Sequence, residues 1–192
     1  MPLYSNHQCI FTHIPKCAGS SIHKAFIGDQ NTSSEHSKLD KIIFHEKIEN
    51  FFKFTFVRNP WDRFLSTYFY FKKYGQDNGG DMLTGFIVNR FDSFNDFTKH
   101  FPMIPDKIFP CPHFNPQNEW VDERHNLIGR FENLQTDFDV VCEKVGLDKR
   151  ILPHANKTDH KHYTEYYDNE TRQIVAKKYA KDIEYFGYEF GK

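Results

Sequence analysis

No apolar run in this chain approaches the length needed to cross a bilayer, so no transmembrane segment is predicted. Cysteine is sparse: the four residues Cys9, Cys17, Cys111 and Cys142 show no C-x-x-C spacing, and their density is too low for a disulfide framework. Cys9 and Cys142 fall in apolar runs and read as buried thiols, which suits a reduced compartment. Nothing near the N-terminus has the form of a signal peptide, because Met1 to Gln8 is short and polar. A cytoplasmic location is therefore the expectation, and the sequons at Asn31, Asn156 and Asn169 are read as chance. Charge of one sign is also lacking: 25 basic against 26 acidic residues leave a formal net charge of −1. That balance argues against nucleic-acid or anionic-membrane binding by bulk electrostatics, so any anion site has to be built locally. Internal repeats and low-complexity tracts are absent too.

Aromatic residues, in contrast, are abundant, with 21 Phe and 10 Tyr, and predict an aromatic-rich core. The 192 residues suffice for one domain with a full core, and a single domain over 1–192 is expected. Phe52–Val57 is a β-rich run apolar enough for a buried strand. Asn59 suits a helix N-cap and Pro60 a first helical residue, and Trp61, Phe64, Leu65, Tyr68 and Phe69 make one apolar stripe beyond them. Ser37 to Ile48 has near-helical apolar spacing, Tyr74 to Thr84 reads as loop, and phenylalanines recurring from Phe86 to Phe101 predict one helix. Five prolines between Phe101 and Pro116 forbid regular structure and predict a binding loop or lid. Asn126–Phe131 is a third strand candidate, Asn133 opens a helix that stops at Gly146, and a last helix follows the loop Leu152 to Tyr167.

Near the N-terminus, Cys9-Ile10-Phe11 runs into Ile14-Pro15-Lys16-Cys17-Ala18-Gly19-Ser20-Ser21 and then into an amphipathic run. Ile14 is biased to extended geometry by the proline after it, and Ser20 or Ser21 is a candidate helix cap. A strand, a small-residue turn and a helix start aim several backbone N–H groups at one spot, which favours a phosphate-like anion. Lys16 adds a mobile charge and the serines add hydroxyl donors. The pattern G-x-x-x-x-G-K-[ST] is not matched, since Lys16 precedes the glycine and Pro15 stands where it would open with one. His45-Glu46 lacks the second histidine of H-E-x-x-H, so a zinc hydrolase is not supported.

The Ile14–Ser21 run closely resembles the 5′-phosphosulfate loop of the sulfotransferases that use 3′-phosphoadenosine 5′-phosphosulfate (PAPS). Arg58, at the end of the Phe52–Val57 run, is followed eight residues later by Ser66, similar to the 3′-phosphate motif of the same family. Ile128–Leu134, Leu152–His154 and Ile183–Tyr188 also resemble the short, soluble members of the carbohydrate-type group, so the likeness runs from about Ile10 to the C-terminus. It implies an α/β, P-loop-like three-layer fold with a small parallel sheet flanked by helices. It implies a sulfotransferase that moves a sulfuryl group from PAPS to a hydroxyl, of a saccharide or another acceptor, without a metal. The alternatives are a P-loop-like small-molecule kinase, or a non-catalytic relative that keeps the nucleotide pocket.

The resemblance assigns Lys16, Cys17, Ala18, Gly19, Ser20 and Ser21 to the 5′ end of the nucleotide, and Arg58 and Ser66 to the 3′-phosphate. Lys157 and Thr158, in the polar loop before the last helix, match a segment that covers the nucleotide in relatives. Lys16 is placed to neutralise the leaving phosphate oxygen. The acceptor hydroxyl needs a general base, and His36 best matches the family's position, with His45 the runner-up. His154, His160 and His162 lack an acidic or cysteine partner for a metal set. Gln117 and Trp120 are candidate acceptor contacts or, equally, a helix start with a packed tryptophan.

Overall fold

The computed structural model describes residues 3–28, 48–75, 82–105, 112–153 and 161–192. The chain divides into two compact units, each made of two separated segments: Met1–Arg58 with Gln117–Lys157, and Asn59–Pro116 with Thr158–Lys192.

The first unit holds a four-stranded sheet in the order β1 (Leu3–Tyr4), β2 (Cys9–Thr12), β3 (Phe52–Val57), β4 (Leu127–Arg130). β2, β3 and β4 are parallel, and β1 adds an antiparallel edge. The α/β class with a small, mostly parallel sheet flanked by helices is thus as expected, and β3 spans the residues read from sequence. β1 had no sequence signal, because two residues cannot display a period of two.

Pairing Cys9 with Phe52 and Phe11 with Phe54 puts these side chains on one face, and Phe11 and Phe54 stack at 5.1 Å. On that face lie α1 (Gly19–Ile27) and α5 (Leu134–Val145). Phe26 of α1 stacks on Tyr4 at 4.0 Å, lies 5.9 Å from Phe54 and meets Phe138 of α5 edge-on at 6.1 Å. Gly129 in β4 is required by this layer: a Cβ there would sit 2.5 Å from the Phe56 ring. α5 stops at Gly146, which takes the left-handed conformation (φ 66°). Burial pushes the Cys9 thiol up to about 12 and raises that of Cys142, so both are inert packing groups.

The second unit is organised by α2 (Pro60–Tyr74), whose N-cap is Asn59, accepting from the Trp61 amide at 3.2 Å, with Pro60 first in the helix. Its stripe of Trp61, Phe64, Leu65 and Tyr68 is buried and extends to Phe71. Phe64 sits among Phe94, Phe97, Phe101, Phe114 and Tyr179 with ring centroids 5.1–6.2 Å away. Arg63, 1% exposed, donates to the carbonyls of Asn115 (2.9 Å) and His113 (3.0 Å) and so pins the end of the proline-rich segment. The phenylalanines from 86 to 101 do not share one helix. They divide between α3 (Met82–Val88) and α4 (Phe94–His100), because Ser93 caps α4 by accepting from the Asp96 amide. α6 (Asn169–Lys178) opens on a capping box of Asp168 and Thr171, and the aromatic tail is helical as α7 (Ala180–Phe186). No helix among the described residues is long and apolar enough to cross a membrane.

A buried polar chain fixes the end of β2. Thr55 Oγ1 donates to the Thr12 carbonyl (2.8 Å), Thr12 Oγ1 meets His125 Nε2 (2.9 Å), and His125 Nδ1 lies 3.3 Å from the Asp122 carbonyl. Burial lowers the His125 pKa below its ordinary 6.5, partly opposed by Asp122, which is itself ion-paired with Arg124. Because the folded value lies below the unfolded one, the unfolded state binds the extra proton first. Stability is complete above about pH 6.5 and falls as the pH drops through that window, by at most about 1.4 kcal/mol per pH unit for this group. Thermal midpoints measured from pH 7.5 to 5 should therefore decline, and His125→Gln should make the decline shallower.

Candidate active site

β2 ends at Thr12, and the chain turns back on itself at once: the Ile14 amide donates to the Thr12 carbonyl (3.1 Å) and the Cys17 amide to the Ile14 carbonyl (3.3 Å). Lys16 (φ 68°) and Ala18 (φ 64°) both occupy the left-handed region, which costs a residue bearing a Cβ on the order of 1 kcal/mol or more. Ala18 is the N-cap of α1 and Gly19 its first residue. Ser20 and Ser21 are therefore in the first turn rather than at the cap, Ser20 exposed and Ser21 buried. The first amides of a helix have no carbonyl one turn behind them, so Gly19 and Ser20 present theirs at the end of the loop. The cap comes from backbone geometry, with no side-chain hydrogen bond at Ala18.

Gly19 is fixed by a close approach. The His13 imidazole, 4% exposed and stacked on Phe11, fills the space beside it, and a Cβ on Gly19 would lie 1.8 Å from His13 Nε2. The glycine thus lets the loop close down over a ring.

Arg58 follows the last residue of β3 and is 8% exposed. Its Nη1 donates to the Lys16 carbonyl (3.1 Å), and its guanidinium carbon lies 3.9 Å from the centroid of the Phe131 ring. Its main chain is held just as closely. The Arg58 N–H donates to Gln117 Oε1 (2.9 Å), and Gln117 Nε2 donates to the Arg58 carbonyl (2.8 Å). The same Oε1 lies 3.3 Å from Cys17 Sγ. Lys16, Cys17, Ala18, Gly19, Ser20, Ser21 and Arg58 are therefore gathered at the carboxyl ends of two adjacent parallel strands. Such a position is where open α/β sheets bind ligands. Cys17 is 1% exposed with its thiol turned to Gln117, so it can serve a ligand only through its backbone.

Ser66 is buried on α2 of the second unit, 6% exposed. His36, His45, Lys157 and Thr158 lie outside the described residues. Two contributors to the site had no direct reading as such. Phe131 supports the Arg58 guanidinium, and Gln117, a candidate acceptor contact in the sequence, is 0% exposed and bonded to Arg58 and Cys17. No periodicity links Gln117 to Arg58 across 59 residues of chain. Trp120 is buried at the end of the same 3-10 turn, Gln117–Trp120, its indole N–H without a partner among the described residues.

The loop after β2 and the arginine after β3 meet at one edge of an α/β sheet, and the sequence comparisons give the family. The profile of the sulfotransferase family matches residues 4–189, and the chain belongs to that family. It is similar to carbohydrate sulfotransferase 14 of Danio rerio, 26% identical over 230 aligned positions covering 95% of this chain and 60% of that protein. The chain thus spans about 60% of the length of the curated relative it matches. No solved structure matches it.

Gly19→Ala is expected to lower stability by about 2 kcal/mol, since the added methyl overlaps a buried ring that has to shift. Chemical denaturation checks this, and an unchanged midpoint would mean that the imidazole does not pack against the start of α1.

Proposed function

We propose that this protein transfers a sulfuryl group from PAPS to a hydroxyl of a carbohydrate. The observation that carries the reading is the 3.1 Å hydrogen bond from Arg58 to the Lys16 carbonyl, which joins the two anion-directed segments at one edge of the sheet. PAPS has negative charge at both ends of its ribose and so needs two anion sites a nucleotide's width apart. The residues present fit that need: first-turn amides and Lys16 for the 5′ end, and a planar guanidinium suited to a forked contact with the 3′-phosphate. Ser66, Lys157 and Thr158 join the proposal through the family motifs that they match. Treating the two compact units as one transferase domain is supported by a family match that runs across both. The saccharide acceptor is supported by the similarity to a protein named as a carbohydrate sulfotransferase.

When bound, PAPS supplies an activated sulfuryl group whose bond to the bridging phosphate oxygen breaks as the bond to the acceptor oxygen forms. The chain's part is positioning and charge stabilisation. The Lys16 main chain is held in its left-handed conformation by the Arg58 hydrogen bond to its carbonyl, so its ammonium works from an anchored backbone rather than from a free loop. First-turn amides add fixed dipoles aimed at the same place. A histidine takes the proton of the acceptor hydroxyl, and we assign this to His36, with His45 the alternative. The kinase alternative is not favoured, because the family match is to sulfotransferases.

Calorimetry with adenosine 3′,5′-bisphosphate and sulfate transfer from labelled PAPS to a panel of glycans test the reading. Arg58→Ala should weaken the bisphosphate by about 10- to 100-fold, as expected for losing charge-assisted hydrogen bonds. Lys16→Ala should lower turnover on the order of a hundredfold. Tighter binding of ATP with magnesium than of the bisphosphate would contradict the reading. His36→Ala should abolish transfer while His45→Ala largely retains it, and the reverse pattern would move the base to His45.

A further inference from the structure

We infer that Gln117 is the positioning residue for Arg58, acting on the 3′-phosphate contact through the arginine's main chain; this rests on the nucleotide reading above. Strand pairing ends one residue before Arg58, where Val57 lies opposite Arg130. Beyond that point the sheet no longer sets the backbone direction of Arg58. The Gln117 carboxamide takes over, accepting the Arg58 N–H at 2.9 Å and donating to its carbonyl at 2.8 Å, as a further strand's peptide group would. With both main-chain groups of one residue fixed, the direction of its Cα–Cβ bond is fixed too. The guanidinium then reaches the Lys16 carbonyl and the face of Phe131.

The glutamine is suited to this task in ways that a packing residue need not be. It is fully buried, and its carboxamide makes both contacts to one backbone residue. Its Oε1 has two lone pairs, and the second faces Cys17 Sγ at 3.3 Å. A thiol is a weak donor, so this second contact tethers the 5′ loop far less than the two amide bonds fix Arg58. The effect of losing Gln117 should therefore fall on the 3′-phosphate end.

Gln117→Met keeps the length and removes the amide. It should weaken adenosine 3′,5′-bisphosphate about tenfold, while adenosine 5′-monophosphate, which has no 3′-phosphate, changes less than about twofold. In an Arg58→Ala background the same substitution should cost no further affinity, because the group it positions is gone. Should Gln117→Met fail to fold, Gln117→Glu provides the same test. Its carboxylate cannot donate to the Arg58 carbonyl but its protonated form can, so its affinity relative to wild type at the same pH should recover as the pH falls. A merely structural glutamine would weaken both nucleotides alike, or lose affinity equally with and without Arg58, and either result overturns the inference. A glutamate variant with no pH-dependent recovery also overturns it. If Arg58→Ala weakens the bisphosphate and Gln117→Met does not, this inference alone fails. If the bisphosphate binds wild type and Arg58→Ala equally, the underlying nucleotide reading fails and takes the inference with it.

Discussion

The parallel register of β2 against β3, with Thr12 opposite Thr55, is the constraint on which the site depends. Parallel neighbours end on the same edge, so the loop after β2 and the arginine after β3 emerge side by side. Register matters as much as direction. A slip of one residue would turn Phe54 away from Phe26, which itself packs on Phe138, and send the segment leading to Arg58 to the other face. The aromatic packing that stabilises the first unit is therefore the same interaction that aims its basic residues. The buried Thr55–Thr12–His125 chain reinforces the pairing where the loop begins.

The loop itself is built against local preference. Two residues with a Cβ, Lys16 and Ala18, take left-handed backbone conformations, which persist only where the surroundings hold them. Those surroundings are identifiable: His13 packed against Gly19, Cys17 turned to Gln117, and Arg58 bonded to the Lys16 carbonyl. Strain at this turn is offset by those buried contacts, which is the condition pre-organisation of the proposed 5′ site requires.

How much of this could be read from sequence depends on the range of each interaction. β3 was legible to the residue, and so was the Asn59–Pro60 start of α2, because six consecutive β-formers and an adjacent cap and proline are local signals. The basic loop and Arg58 were legible as a motif pair. The start of α1 at Gly19 rather than at a serine cap was not, since it depends on a left-handed Ala18 that no propensity favours. The phenylalanines between 86 and 101 kept helical spacing across a break that Ser93 imposes, so periodicity alone merged two helices. Gln117 and Phe131 were illegible as partners of Arg58 because a contact across 59 or 73 residues follows from the sheet order and not from any local pattern.

A crystal structure of the protein with adenosine 3′,5′-bisphosphate tests the central claim most directly. The account requires one phosphate against the amides that open α1, beside Lys16, and the other on the Arg58 guanidinium with its bond to the Lys16 carbonyl retained. A nucleotide bound elsewhere, or Arg58 turned away from the Lys16 loop with no density at that edge of the sheet, would contradict it.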